Sequence, residues 1–324
     1  MQKRKHRYLA GIFTLLLLAI PVVGLLEHQA VFDAIRLHGY TAPDSISQLA
    51  TDTAMQPSMR RLFYVYHPAI EDKTDFNKSC RDNEQTIVLG CYVDTRGIYL
   101  LNVTDSRLTG VEQVTAAHET LHAAYARLST TERKRVDKLT ADYFANATDQ
   151  RLKDTIELYK KQDPSVVPNE LHSILGTEVR TLPAELETYY KQYFSDRSKV
   201  VDFSEQYEKA FTERKNQIVA YDAQLSSLKE QIDSLQTSLT AQASSLSAER
   251  ERLSGLRSSG QVAAYNAAVP GFNQQVNKYN QDIDTLSDII SEYNDIVPKR
   301  NAIAEQESDL VKAIDSRSSV PAHQ

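Results

Sequence analysis

Thr115-Ala116-Ala117-His118-Glu119-Thr120-Leu121-His122-Ala123 is the stretch on which the reading of this chain turns. Between Gln113 and Ala126 the one formally charged residue is Glu119, and its neighbours are Ala, Thr, Leu, Val and Tyr. A carboxylate in so apolar a run is costly to bury unless something compensates it. A helix supplies the compensation. Residues at i and i+4 share one face, so the imidazoles of His118 and His122 can hold one metal ion. Glu119 then lies about 100° around the helix, able to reach a metal-bound water without replacing the ligands. The plainer alternative is a pair of core histidines satisfied by hydrogen bonds. The uncharged flanks and the strand-like runs upstream argue against it.

Those runs are Leu62–Tyr66, Thr86–Val93 and Gly97–Val103, rich in β-branched and aromatic residues. The last two are separated by Asp94-Thr95-Arg96, short enough for a hairpin. Cys80 and Cys91 are the only cysteines. Bridged, they close a short loop at the start of a strand and stabilise the fold by about 3 kcal/mol through the unfolded state; the alternative is two free buried thiols. Residues 27–60 are weakly periodic and read as a short helix near Val31–Leu37 followed by linker.

Downstream the pattern is helical. Val111–Leu128 carries the motif, and Ser129-Thr130-Thr131-Glu132 is a capping box that opens a helix to about Asn146. Further helices are predicted over Arg151–Gln162 and from Pro168 to just before Pro183. Leu186, Tyr189, Tyr190, Tyr193 and Phe194 form an aromatic stripe suited to core packing. From Tyr207 the apolar residues fall into an alternating three-and-four register through Ile218, Leu228, Leu239 and Leu256, which is a coiled-coil seam. Ser258-Ser259-Gly260 and Pro270-Gly271 interrupt it, and a second seam runs from Phe272 through Ile283 and Ile290 to Val297, continuing through Leu310 and Ile314. An antiparallel hairpin about 70–80 Å long follows at 1.5 Å per residue; a parallel homodimer through the first seam competes with it. The predicted class is α+β and mainly helical: a small three-stranded sheet packed on the motif helix, then a long coiled-coil helical hairpin.

The ends and the charge bound the function. Lys3, Arg4, Lys5 and Arg7 precede an uncharged run from Tyr8 to Leu26, long enough as a helix to span about 28 Å. It predicts a single-pass cell-membrane anchor with a cytoplasmic N-terminus and the rest extracytoplasmic; a cleaved signal peptide is the alternative. The implied divisions are 1–7 basic segment, 8–26 transmembrane helix, 27–60 linker, 61–200 a domain built around the His118–His122 motif, 201–315 hairpin and 316–324 tail. A net charge of −6 offers no footprint for nucleic acid, and no Gly-rich phosphate loop is present.

The stretch Thr115–Ala123 resembles the zinc metallopeptidases of the HExxH class, over about residues 60–180 and with only the pentapeptide specific. That resemblance implies Zn2+ on His118 and His122, with Glu119 as the general base. No further His follows in the metzincin pattern, so the gluzincin branch, with a later glutamate as third ligand, is the better match. Asn169-Glu170-Leu171-His172-Ser173 is similar to the third-ligand pattern of thermolysin-like gluzincins, but Ile174 stands where they carry an acid that orients a zinc histidine. Glu178 competes on physical grounds. On one continuous helix it falls about 80° from Glu170, inside the stripe of Leu171, Ile174, Leu175 and Leu182, where an unpaired carboxylate is disfavoured. Pattern favours Glu170 by a little. His172 points about 160° from Glu170 and reads as partly exposed or as a donor behind the ligands. Tyr125, Tyr189, Tyr190 and Arg180 are candidates to stabilise an oxyanion, and the resemblance implies that strand Gly97–Asn102 pairs with extended substrate.

The chemistry expected is peptide hydrolysis on a peptide or protein substrate. The competing reading is a non-enzymatic envelope scaffold that uses the coiled coil for partner binding or self-association, with a structural or vestigial metal site. An intact Glu119 beside both histidines favours the enzyme.

Overall fold

The computed structural model describes residues 28–80 and 87–317, and the chain divides into two units, Met1–Lys209 with Lys312–Gln324 and Ala210–Val311. In the first unit α1 (His28–Leu37), α2 (Asp44–Asp52) and α3 (Pro57–Val65) lead to β1 (Ala69–Glu71) and α4 (Lys73–Ser79). β2 (Gly90–Val93) and β3 (Gly97–Leu101) follow, then a 3-10 turn at Ser106–Leu108 and α5 (Val111–Ala126). Helices α6 (Thr130–Asn146), α7 (Gln150–Gln162), α8 (Val167–Thr177) and α9 (Ala184–Tyr190) complete it. α10 (Ser198–Ser258) and α11 (Val262–Ile314) carry the chain through the second unit and back. The protein is mainly helical, with a small mixed sheet and long C-terminal helices.

The motif helix α5 is the centre of the first unit. It packs on α2, α3, α8, β2 and β3, and twelve of its sixteen residues are buried. A helix packed on most of its faces needs no amphipathic stripe, which is why apolar and small residues surround its motif. Ala116, Ala117, Ala123 and Ala124 let its neighbours approach, and Leu121 joins Phe63, Leu175, Tyr190 and Phe194 in the core.

The sheet has order β1-β3-β2, with β1 parallel and β2 antiparallel to β3. Two of its three strands fall within predicted runs; the third does not. Leu62–Tyr66 is the end of helix α3 and the turn after it. Pro57 opens that helix, and Met59 and Phe63, one turn apart, both point into the core. Packing against α5 overrides the local β propensity of Phe63-Tyr64-Val65. The real first strand is Ala69–Glu71, after a turn in which His67 adopts φ 41°. Within 27–60 the short helix expected near Val31–Leu37 is α1, but what was expected to be linker after it holds α2 and the start of α3, whose Ile46, Leu49, Ala50 and Met59 are core residues. Cys80 and Cys91 are joined, tying the end of α4 to β2.

The second unit contains the seam. Asp222 pairs with Arg300 (2.9 Å) and Gln242 with Asp282 (2.6 Å), partners that draw closer in sequence toward the turn at 259–261, so the two helices run antiparallel. Gly260 makes that turn at φ 72°. Pro270-Gly271 does not break the return helix; Pro270 and Pro298 both lie inside α11. The seam on either side of each proline holds the helix through the one backbone bond that each removes.

The membrane placement expected from the sequence is to be corrected. Among the described residues no helix is long and apolar enough to cross a membrane. The run 8–26 on which that expectation rested lies outside them, so the structure gives it no support.

A Cβ at Gly90 would stand 2.4 Å from Thr115 Cγ2 and 3.0 Å from Glu119 Cγ. Glycine is therefore what lets β2 lie directly on the motif helix. Gly90→Ala is expected to lower stability in urea unfolding by about 1–3 kcal/mol. Adding Thr115→Ser, which deletes the obstructing methyl, should recover part of the loss. An unchanged unfolding midpoint in Gly90→Ala would show that this contact does not set the strand's distance.

Candidate metal centre

α5 presents His118, Glu119 and His122 together, with donor atoms that all lie within 4.8 Å of one another. Glu119 is 7% exposed and His122 9%, while His118 reaches the surface a little more. Opposite them stands Glu170, in the first turn of α8. The two helices meet closely because residue 176 is glycine: a Cβ there would lie 2.4 Å from Leu121 Cδ1 and 2.8 Å from Tyr190 Cε1. The result places Glu170 Oε2 3.6 Å from His118 Nε2 and Glu170 Oε1 3.5 Å from His122 Nε2.

These separations are too long for hydrogen bonds. They match the spacing of ligands around a common ion, because two donors at tetrahedral positions, each about 2.0–2.2 Å from zinc, stand about 3.4 Å apart. Glu170 Oε2 is buried and has no hydrogen-bond partner among the described residues. A buried, unpartnered carboxylate oxygen is unfavourable unless a cation completes it. The donor set, two imidazole nitrogens and one carboxylate, is one that zinc accepts. The residues present fit a zinc ion.

Around the donors lies a supporting layer. Ser173, one turn after Glu170, bonds its Oγ to His122 Nδ1 at 3.2 Å, which turns His122 Nε2 toward Glu170 and orients the ring as outer partners of metal histidines do. Tyr159 from α7 donates to the Glu170 carboxylate. Burial works against ionising Glu170, but His118, His122 and Tyr159 outweigh it and hold its pKa below the usual carboxylate value. Burial likewise opposes charge on His118, and Glu170 and Glu178 overcome it, so that this imidazole titrates above its ordinary value.

Glu178 belongs to the supporting layer. α8 ends at Thr177, so Glu178 caps it instead of continuing the apolar stripe, and the wheel that placed it beside Leu182 does not apply. It approaches only one histidine, at 3.9 Å from His118 Nδ1. Its other oxygen binds Arg151 at 2.8 Å, and the same guanidinium nitrogen binds Glu208 at 2.7 Å. One cation between two carboxylates does not suffice for both. Burial, with Glu178 close by, outweighs Arg151 and pushes Glu208 up to about 7.

A cleft of about 370 Å³ opens over the motif, with Gly90, His118, Glu119, Glu170, Tyr159 and Tyr207 in its wall. Its strand wall is β2. The strand Gly97–Asn102, expected to meet substrate, is the middle strand of the sheet and is paired on both sides, so no edge of it is open. β2 is the edge strand on the cleft. The oxyanion candidates are also to be corrected. Tyr125 bonds Asp137 (2.7 Å), Tyr189 bonds His172 (2.9 Å), Tyr190 bonds the His172 carbonyl (2.7 Å) and Arg180 pairs with Asp202 (2.7 Å). None of the four lines the cleft. The hydroxyl side chains that do are Tyr92, Thr115, Tyr159 and Tyr207; the last two were legible only as pattern, Tyr159 one turn after Ile156 on α7 and Tyr207 as the first seam residue. His172 is fully buried among Tyr125, Tyr189, Tyr190 and Tyr193; burial keeps it neutral, lowering its pKa to about 3.

Comparison with protein-family models, with curated proteins and with solved structures finds no match to this chain. What the structure itself establishes is the close His118–Glu119–His122 triad.

Glu208 gives the site a pH signature. Its pKa rises from 4.5 unfolded to about 7 folded, so between those values the folded chain holds a proton that the unfolded chain has released. Stability from this group is therefore complete below pH 4.5 and is lost as pH rises through about 7, by roughly 2–3 kcal/mol. Glu208→Gln should flatten the fall in stability over that window when unfolding is followed by circular dichroism. An identical pH profile in the variant would contradict the assignment.

Proposed function

We propose that this protein is a zinc-dependent peptidase. The observation that carries the reading is the approach of Glu170 to the Nε2 atoms of both motif histidines, with one buried oxygen left unpartnered. His118, His122 and Glu170 would hold the ion as three protein ligands, which leaves a fourth position facing the cleft. Glu178, held by Arg151, adds negative charge beside His118. Zinc held there supplies a Lewis acid that polarises the scissile carbonyl and acidifies the attacking water.

The remaining chemistry belongs to the chain. Glu119, one residue from His118 and pressed beneath Gly90, accepts the proton of the attacking water and delivers it to the leaving amine. Tyr159 already donates to Glu170, so the Tyr207 hydroxyl, in the cleft wall, is the one that would donate to the carbonyl oxygen as negative charge develops. An extended peptide lies along the outer edge of β2, where backbone hydrogen bonds align it across the motif helix irrespective of its sequence. The cleft walls are a mixture of apolar side chains and carboxylates, suited to a peptide more than to a phosphorylated or otherwise anionic substrate.

Two measurements on the purified protein test the reading. Zinc is expected at about one ion per chain by elemental analysis, in line with a single three-ligand site. Glu170→Gln should lose most of it, whereas Glu178→Gln should weaken affinity by about 10–100-fold, as changes behind the ligands do. Glu119→Gln should keep the metal and lower kcat on unstructured peptides by about 10²–10⁴-fold. A chain that binds zinc but hydrolyses no peptide, with or without Glu119, would instead support a structural metal site in a scaffold.

A further inference from the structure

β2 has one side paired and one side facing outward. Leu101 N–H donates to the Leu89 carbonyl at 2.9 Å, and Cys91 stands opposite Tyr99. Residues 89, 91 and 93 therefore turn their backbone groups toward β3, and the alternation of an antiparallel pair turns those of Gly90 and Tyr92 the other way; Val88 lies two residues before the strand, across a bend at Leu89. Val88, Gly90 and Tyr92 all line the cleft that holds His118 and Glu119. This outer edge is where an extended peptide would have to pair.

It is already in part taken. The Val88 N–H donates to Ser316 Oγ at 3.2 Å, a contact between residues 228 apart in sequence. Ser316 is only 4% exposed. It lies just past the end of α11, in a short segment braced on itself: Asp315 accepts from the Arg317 backbone N–H at 3.0 Å and from its guanidinium at 2.8 and 2.9 Å. Lys73, at the start of α4, adds its positive charge to the field on Asp315. The segment, held by the Asp315–Arg317 bonds, thus presents a hydroxyl to the backbone N–H two residues before the edge strand. A serine hydroxyl is a weaker partner for that N–H than the carbonyl of a strand, because it brings one bond and not a ladder.

We infer that the segment Asp315–Arg317 is an intramolecular competitor at the end of the peptide-pairing edge, and that an incoming chain must displace Ser316 from Val88 before it can extend past Gly90. The inference rests on the peptidase reading and adds to it a form of regulation: the enzyme's own C-terminal segment raises the concentration of peptide needed to occupy the cleft. A short peptide that pairs only at Gly90 and Tyr92 escapes the competition. A longer one that reaches Val88 meets it.

The test is carried out on the full-length chain and on Ser316→Ala. Amide exchange at Val88 should speed up in the variant, whatever its activity, because the acceptor has gone. For peptides long enough to reach Val88, KM should fall by about two- to tenfold, the worth of one hydrogen bond, with kcat unchanged. Peptides too short to reach Val88 should show no change, and Ser316→Thr, which keeps the hydroxyl, should behave as the parent. Faster Val88 exchange with an unaltered KM for long peptides would overturn the inference and leave the peptidase reading standing. Unchanged Val88 exchange would overturn it as well, by showing that Ser316 does not hold the edge. Failure of the parent chain to hydrolyse any peptide would instead sink the reading on which the inference depends.

Discussion

A helix buried over most of its length, and open only at one cleft, has to carry a carboxylate and two imidazoles, and the organisation of the first unit follows from how it does so. Glu119 and His122 are buried on α5 among alanines, Leu121 and Val114. Each would be strongly unfavourable there alone. Glu170 is brought to them from the facing helix, and it is itself buried with an unpartnered oxygen. Glu170 and His118 favour each other's charged forms, and His122 favours that of Glu170; the separations of Glu170 from both rings, too long for hydrogen bonds, are those of donors arranged around a common point. The glycines mark the cost of reaching that arrangement. Gly176 lets α8 touch α5, and Gly90 lets β2 lie on it, each at a separation that a methyl group would not allow.

The surroundings are graded outward from that point. Ser173 holds His122, and Tyr159 holds Glu170. Behind His118 the Glu178–Arg151–Glu208 chain ties together the end of α8, the start of α7 and the start of α10. On the other side, His172 sits in a cage of tyrosines and stays neutral. A charged group there would add repulsion against His118 and His122, so its burial protects the site without touching it. Nearest the donors the groups are hydrogen-bonded or opposed in charge; farther out they are apolar aromatic packing.

Much of this was legible in the sequence, and the failures have particular causes. The i, i+4 spacing of His118 and His122 on an uncharged run placed the helix and its two donors, because that pattern depends only on local geometry. The capping box at Ser129 and the seams after Tyr207 were equally local, and Ser129 does accept from the Glu132 N–H. The strand expected at Leu62–Tyr66 failed because aromatic and β-branched content does not reveal which face is buried. Only contact with α5 makes Met59 and Phe63 one turn of a helix. Glu178 was weighed on a helix assumed to continue, and α8 stops one residue short of it. Ser173 lay inside the quoted motif, yet nothing in its spacing says that its hydroxyl reaches a ring 51 residues away. Ile174, where an acid was looked for, proves to be a core residue. The orienting contact to His122 comes from Ser173, its neighbour in sequence.

The same locality explains why the long helices were read as an arm and no more. A seam reports that two helices pack, not where their ends go. Residues 210–311 form a unit of their own, but the chain that leads into them and the chain that leaves both belong to the first unit. The inbound chain carries Tyr207 into the cleft wall and Glu208 onto Arg151. The outbound chain carries Ser316 onto Val88 at the rim of the same cleft. The hairpin is therefore an excursion between two points fixed around one site, which gives its two base residues constraints that no seam position shares. Tyr207 fits the three-and-four register and, half-buried, also stands in the cleft wall. A residue that satisfies two patterns at once is read from sequence as the longer pattern, and here the longer pattern concealed a wall of the site.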